Sequence, residues 1–360
     1  MYDWYGVLPR EVISQFEKET KIKVNYDVFD NNEMLEAKLL ASNSGYDVVF
    51  PTATPYAARQ LALGIYQKID KSLLPNLKEI EPFLVEKMKK IDENFDFLLP
   101  YYWGTTGIAF DEEKLDELLP EHPKDSYSLL FDINVVSVLK EGGINFLQEA
   151  VDIFPFVSNY LGLDRENRTI QNLVISAEYF SKICPFIRRF SSSRFVMDLV
   201  LGDICITQAW SGGAIKAIED AEKIGRKIKY IIPKEGCDLW IDVIAIPVGA
   251  PHRKNAHKFI NFLLRPEISA QITNKSQIAT MVCESKKYIE QEILENTVIF
   301  PSKEIIEKLF FQPPFLGKDG KRYNHIATRL MNLFKMSPKD AETYIKEIKL
   351  EIAGNSEEKK

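Results

Sequence analysis

Strand-like and helix-like patterns alternate through the first hundred residues, and this alternation points to parallel βαβ units. Tyr2-Asp3-Trp4 opens a first strand, Ile22 to Val28 is strand-like, and Tyr46 to Phe50 is a short buried-strand run. Between the last two, Met34, Leu35, Ala37, Leu39 and Leu40 recur at helical spacing. They predict a helix from Asn31 to Ser42, with Asn31 or Asn32 as its cap. After Pro51-Thr52-Ala53-Thr54-Pro55, a helix from Tyr56 to Leu63 is expected, with Pro55 in its first turn. The logic resumes with strands at Ile204 to Thr207, Lys227 to Ile232 and Trp240 to Pro247, and helices at Ala214 to Ile224 and Asn255 to Leu264. Pro266 stops the last of these at Arg265. Ser337 is placed to cap a terminal helix starting on Pro338, and Asn355 to Lys360 reads as a frayed tail. A chain of 360 residues exceeds one typical core, yet no low-complexity linker divides it. Two lobes joined by crossing strands are therefore expected.

Several function classes are disfavoured. A net charge of −6 argues against nucleic acid as a partner, because phosphate-tracking surfaces need clustered positive charge. No apolar run reaches membrane-spanning length. Met1 leads directly into the first strand, as in an exported chain whose signal has been replaced by an initiator methionine, the literal alternative being a cytoplasmic protein with a very short N-terminus. Phosphate-binding glycine loops and Gly-x-Ser-x-Gly are absent. Cys184, Cys205, Cys237 and Cys283 are too dispersed for a zinc or redox motif. Buried free thiols are one reading of them, and one or two disulfides in an exported protein the other. His252 and His257, beside Arg253 and Lys254, read as a solvated helix start rather than a metal site. No metal or other cofactor is called for, and no nucleophile–base set argues for an enzyme.

Trp4, Trp210 and Trp240 stand in short polar or glycine-bearing segments at strand ends, where open α/β sheets bind ligands. Acids lie near two of these segments, and a cation between aromatic faces gains roughly 0.5–2 kcal/mol per well-placed ring.

Longer stretches carry a family likeness. They include Phe16-Glu17-Lys18-Glu19-Thr20, Tyr26-Asp27-Val28-Phe29-Asp30, Gly45-Tyr46-Asp47-Val48-Val49 and Pro100-Tyr101-Tyr102-Trp103-Gly104-Thr105-Thr106-Gly107. Gly202-Asp203-Ile204-Cys205, Ile232-Pro233-Lys234-Glu235-Gly236 and Phe262-Leu263-Leu264-Arg265-Pro266 continue it. Over nearly its whole length the chain resembles the periplasmic spermidine/putrescine-binding proteins of bacterial ABC importers. That resemblance implies an α/β, two-lobed, type II periplasmic binding protein fold, each lobe a mostly parallel sheet flanked by helices. The expected lobes are 1–104 plus 243–284 and 105–242 plus 285–360, with hinge crossings near 103–106, 240–243 and 282–285.

The resemblance also implies a role: a periplasmic monomer that closes over a polyamine and delivers it to a membrane permease. Trp4, Trp210 and Trp240 fall at aromatic-box positions, with Tyr5 beside the first. Asp152 and Asp242 fall at carboxylate positions, and Thr52 and Thr54 match small hydroxyl residues after the third strand. The departures lie in this same set. Gly6 and Gly213 stand where the family has acids, and Ile278 where an aromatic is common. Glycines just before helices would bare N–H donors suited to a neutral or anionic group, unless Asp3 or Asp238 restores the charge. A zwitterionic or amino-acid-like ligand is thus the alternative to a polyamine. A transferase-type enzyme or a sensor on the same fold are the rivals from other classes.

Overall fold

The protein is described by a computed structural model covering residues 1–41, 44–163, 169–312, 314 and 316–357. Nine strands occur among the described residues: β1 (Tyr2–Trp4), β2 (Asp27–Phe29), β3 (Leu99–Asp111), β4 (Ile144–Phe146), β5 (Arg189–Phe190), β6 (Ile206–Trp210), β7 (Ile228–Ile231), β8 (Asp238–Ile244) and β9 (Ala279–Thr280). The chain divides into two units. The first is Met1–Thr105, Leu239–Ile306 and Phe311–Leu316, and the second is Thr106–Asp238, Glu307–Phe310 and Gly317–Lys360. The backbone thus changes unit inside β3 and at the start of β8. Residues 285–306, assigned from sequence to the second lobe, belong to the first unit.

In the first unit β1 and β2 run parallel, with Trp4 opposite Phe29, and the helix Arg10–Thr20 joins them. Val12, Ile13 and Phe16 form the buried stripe of that helix, and the Phe16 ring meets Phe259 edge-on at 4.9 Å. β2 is shorter than the strand expected over Ile22 to Val28 because nearby side chains take the ladder's donors. The Ile22 N–H bonds to Thr20 Oγ1 at 3.2 Å and the Val24 N–H to Glu17 Oε1 at 2.7 Å. Tyr46 to Phe50 forms no strand either. Only Val49 is paired, with Tyr2 on one side and Ala245 on the other, and Pro51 has no N–H to extend the ladder.

The helix expected over Asn31 to Ser42 is observed as Asn32–Leu40, and Ser42 lies outside the described residues. Asn31 is its cap, accepting from the Met34 N–H at 2.9 Å. Pro55 does not open the next helix. Thr54 is extended (φ −125°, ψ 140°), Ala53–Ala57 forms a wide turn, and the α-helix runs only over Ala58–Ala62. β9 pairs antiparallel with the first half of β3.

The second unit holds a sheet of order β5-β4-β6-β3-β7. β5, β4 and β6 are mutually parallel, whereas β3 runs antiparallel to both β6 and β7, so the sheet is mixed. A strand entering from another unit is not bound to the right-handed crossover that makes neighbours parallel. Gly107 on β3 permits a close approach, since a Cβ there would overlap Ile231 O and the Tyr230 hydroxyl. In this unit Phe131, Phe146, Phe154, Phe156 and Phe180 are wholly buried. Each contributes about 1.5–3 kcal/mol of apolar burial. The terminal helix spans Pro338–Glu357, and Ser337 Oγ accepts from the Asp340 N–H at 3.2 Å. It continues through Glu357, so the tail expected from Asn355 is helical there, and 358–360 lie outside the described residues.

Two further expectations change. His257 is buried, not solvated: its Nε2 accepts from the Asp70 N–H at 2.9 Å and its Nδ1 lies 2.8 Å from Arg253 O. Those partners make Nδ1 the protonated nitrogen. His252 remains on the surface beside Asp47. All four cysteines are free, and burial pushes the Cys184 and Cys205 thiols up to about 12, which keeps them unreactive. No helix among the described residues is long and apolar enough to cross a membrane.

Candidate functional site

Strand alternation places Trp240 and Asp242 on one face of β8. Thr52 faces Asp242 across an antiparallel bridge, and its hydroxyl donates to Asp242 Oδ1 at 2.7 Å. Asn32, the first residue of its helix, holds Thr52 from behind. Its Oδ1 accepts the Thr52 N–H at 3.0 Å, and its Nδ2 donates to Thr52 Oγ1 at 3.1 Å. Trp4, at the end of β1, packs tilted on Phe29 with ring centres 4.6 Å apart. The indole N–H groups of Trp4 and Trp240 are buried. Tyr5 is 76% exposed, and Thr54 is half-buried on its extended backbone.

Asp242 is 8% exposed, and burial pushes its carboxyl up to about 7, against the opposing pull of the Thr52 hydroxyl and the nearby Trp4 indole. Hydrogen bonds to the charged form limit what desolvation does but do not cancel it. Asp3 points to the face of β1 opposite Trp4 and is fully buried. Burial, and then the charge of Asp242, drive its carboxyl well above the usual range, although Oδ1 accepts from the Trp4 N–H at 2.7 Å. Burial thus favours the neutral form of Asp3, which makes it a poor replacement charge.

The second unit holds the other predicted residues. Asp152 lies in the first turn of the helix Ala150–Tyr160, where the helix dipole favours a carboxylate. Trp210 closes β6, and its Nε1 donates to Asp152 Oδ1 at 3.4 Å. The Gln208 amide donates to the Asp152 carbonyl. Phe195, which the sequence reading passed over, meets Trp210 edge-on at 6.3 Å.

That ring corrects the expectation of bared helix starts. Gly213 is not before a helix but is the third residue of Ser211–Glu222, and a Cβ there would overlap Phe195 Cζ. The space beside Gly213 is aromatic. Gly6 lies four residues ahead of Arg10 in a turn, with the positive φ of +79° that glycine accepts readily. Asn32 was legible only as one of two asparagines at a helix start. Nothing in its spacing points to Thr52.

The chain matches the model for bacterial extracellular solute-binding proteins over residues 5–270. It is 36% identical to the putrescine-binding periplasmic protein SpuD of Pseudomonas aeruginosa over 333 residues, covering 92% of this chain and 90% of that protein. It is 37% identical to the putrescine-binding periplasmic protein PotF of Escherichia coli over 314 residues, or 86% and 85% of the two chains. The chain belongs to the bacterial extracellular solute-binding proteins. Within them it falls in the periplasmic polyamine-binding family of these relatives. A solved structure described as a putative spermidine/putrescine ABC transporter from Listeria monocytogenes superposes with a TM-score of 0.80 at 26% identity, over 93% of this chain and 98% of that one. The two-lobed solute-binding fold read from the sequence accordingly holds, with mixed sheets. Among the described residues, no three His, Cys, Asp or Glu side chains are grouped to hold a metal.

Proposed function

We propose that this protein is an extracytoplasmic binding protein that carries a putrescine- or spermidine-like amine to the permease of an ABC importer, acting as a monomer and without catalysis. The observation that carries this reading is Asp242: a buried carboxylate with one oxygen taken up by Thr52, flanked by Trp4 and with Trp240 on the same strand face. In the first unit Asp242 is the carboxylate assigned to an ammonium group, and in the second unit it is Asp152. Trp4 and Trp240 in the first unit, and Trp210 in the second, offer ring faces to methylenes, while Tyr5, Thr52 and Thr54 add contacts in the first. A buried ammonium without a counter-charge costs several kcal/mol, so the number of ionised carboxylates sets how many amine groups are tolerated. With burial favouring the neutral form of Asp3, and with Phe195 beside Gly213, the set suits two cationic ends rather than three.

Calorimetric titration with putrescine, spermidine and 4-aminobutyrate tests the reading. Putrescine should bind at least as tightly as spermidine. Tight binding of 4-aminobutyrate with no diamine binding would replace the polyamine with a zwitterion. Turnover of an amine substrate would move the protein to the enzyme class.

A further inference from the structure

The Asn32–Thr52–Asp242 chain of hydrogen bonds has a fixed direction. Asn32 Nδ2 can only donate, so Thr52 Oγ1 accepts from it at 3.1 Å. Asn32 Oδ1 can only accept, and it takes the Thr52 backbone N–H at 3.0 Å. The amide orientation is thereby fixed at both ends, and the hydroxyl proton of Thr52 points to its remaining neighbour, Asp242 Oδ1, at 2.7 Å.

We propose that Asn32 is a positioning residue for the ligand site: by clamping Thr52 it commits that hydroxyl as a donor to Asp242. Two consequences follow for recognition. Asp242 is held as an acceptor, and Thr52 has no proton left to offer. At the Thr52–Asp242 pair the first unit therefore presents acceptors, and that pair favours a ligand group that donates, such as an ammonium. This refines the amine-binding reading and rests on it for the identity of the ligand. The relay itself is a property of the unliganded protein.

The surroundings leave few competing charges. From β1 come Asp3, whose neutral form burial favours, and the Trp4 indole. Beyond Asp3 stand the Met1 ammonium and the hydroxyls of Tyr26, Tyr101 and Tyr102. Asn32 is itself buried and uncharged, so it acts on Asp242 only through Thr52.

The decisive variant is Asn32→Asp, nearly the same shape but all acceptor. The Thr52 hydroxyl then turns to donate to residue 32, and Asp242 loses its donor. Carboxyl carbon NMR of the unliganded protein, with Asp242 assigned by its loss in Asp242→Asn, follows the titration midpoint directly. The midpoint should rise by at least about one pH unit in Asn32→Asp and equally in Thr52→Val, since a hydrogen bond to a charged acceptor is worth roughly 1.5–3 kcal/mol. On top of Thr52→Val, the Asn32→Asp shift should shrink to what the new carboxylate adds through space. Putrescine affinity at pH 7 should fall about tenfold or more in each single variant. Asn32→Gln keeps the amide but misplaces it and should fall between.

An Asp242 midpoint unmoved in Asn32→Asp overturns the proposal, as does a shift that persists undiminished on top of Thr52→Val. Failure of the wild type to bind any diamine would instead remove the amine reading, leaving the NMR result to decide the relay. Thermal melts of each variant separate misfolding from a changed titration.

Discussion

Asp242 is predicted to cost the protein stability in return for its place in the site, and the cost can be worked out. Its carboxyl titrates near 7 in the folded protein against an ordinary value of 3.8. The folded state therefore binds more protons than the unfolded state between those two values. Stability contributed by this group falls as pH rises through that window. Below about pH 4 both states are protonated and there is no penalty. Above about pH 7 the penalty is complete, at about 4 kcal/mol from three units at 1.36 kcal/mol each. Asp242→Asn keeps the shape and can still accept from Thr52, but it never ionises.

The variant should melt close to the wild type at pH 4. Its advantage should grow through pH 5 and 6 and level off by about pH 7.5, at several degrees. The same variant should lose putrescine binding by a hundredfold or more, because the buried ammonium no longer meets a charge. Scanning calorimetry at four pH values, with titration calorimetry at pH 8, reads both effects. A variant less stable than the wild type at pH 8, or an advantage that does not change with pH, would refute the reasoning.

Three other outcomes follow from the same geometry. Diamine affinity should increase from pH 6 to pH 8 with proton release near neutrality, measurable as a dependence of binding heat on buffer ionisation; pH-independent binding would mean the ligand avoids Asp242. Trp240→Ala should weaken the ligand by roughly 1–3 kcal/mol through lost stacking and burial, and unchanged affinity by calorimetry would return Trp240 to a structural role. Gly213→Ala should lower the melting temperature because its Cβ overlaps Phe195, and Phe195→Ala should relieve most of that loss in a double-mutant cycle; additive losses would show that the two positions do not meet.

The sequence made the architecture legible where local chemistry and tertiary structure agree. Asn31 caps its helix, Ser337 caps the last one, and β1 with β2 forms the parallel pair that alternation required. It misled where a distant partner decides. Ile22 to Val28 has a strand composition, but side chains of Glu17 and Thr20 intercept its N–H groups. His257 has polar neighbours in sequence yet is buried against Asp70, far away along the chain. Reading Gly213 as a bared helix start failed for the same reason, because the space a side chain would occupy belongs to Phe195. For the candidate site, residue types could be chosen from sequence and likeness, but hydrogen-bond direction could not. Thr52 and Asp242 are 190 residues apart, and only the folded chain shows that one donates to the other.

The interleaved make-up of the two units has a consequence for how the chain is made. The first unit needs Leu239–Ile306 to complete what Met1–Thr105 begins: Val49 waits for Ala245, Thr52 for Asp242 and β3 for β9. The second needs Gly317–Lys360, so neither can close while the C-terminal third is still to come. Pairings this remote in sequence demand loop closure before they return stabilisation, which slows folding. A nascent chain of this kind remains without a finished native unit until synthesis is nearly over. An export machinery that threads unfolded polypeptide would meet it in the state it requires.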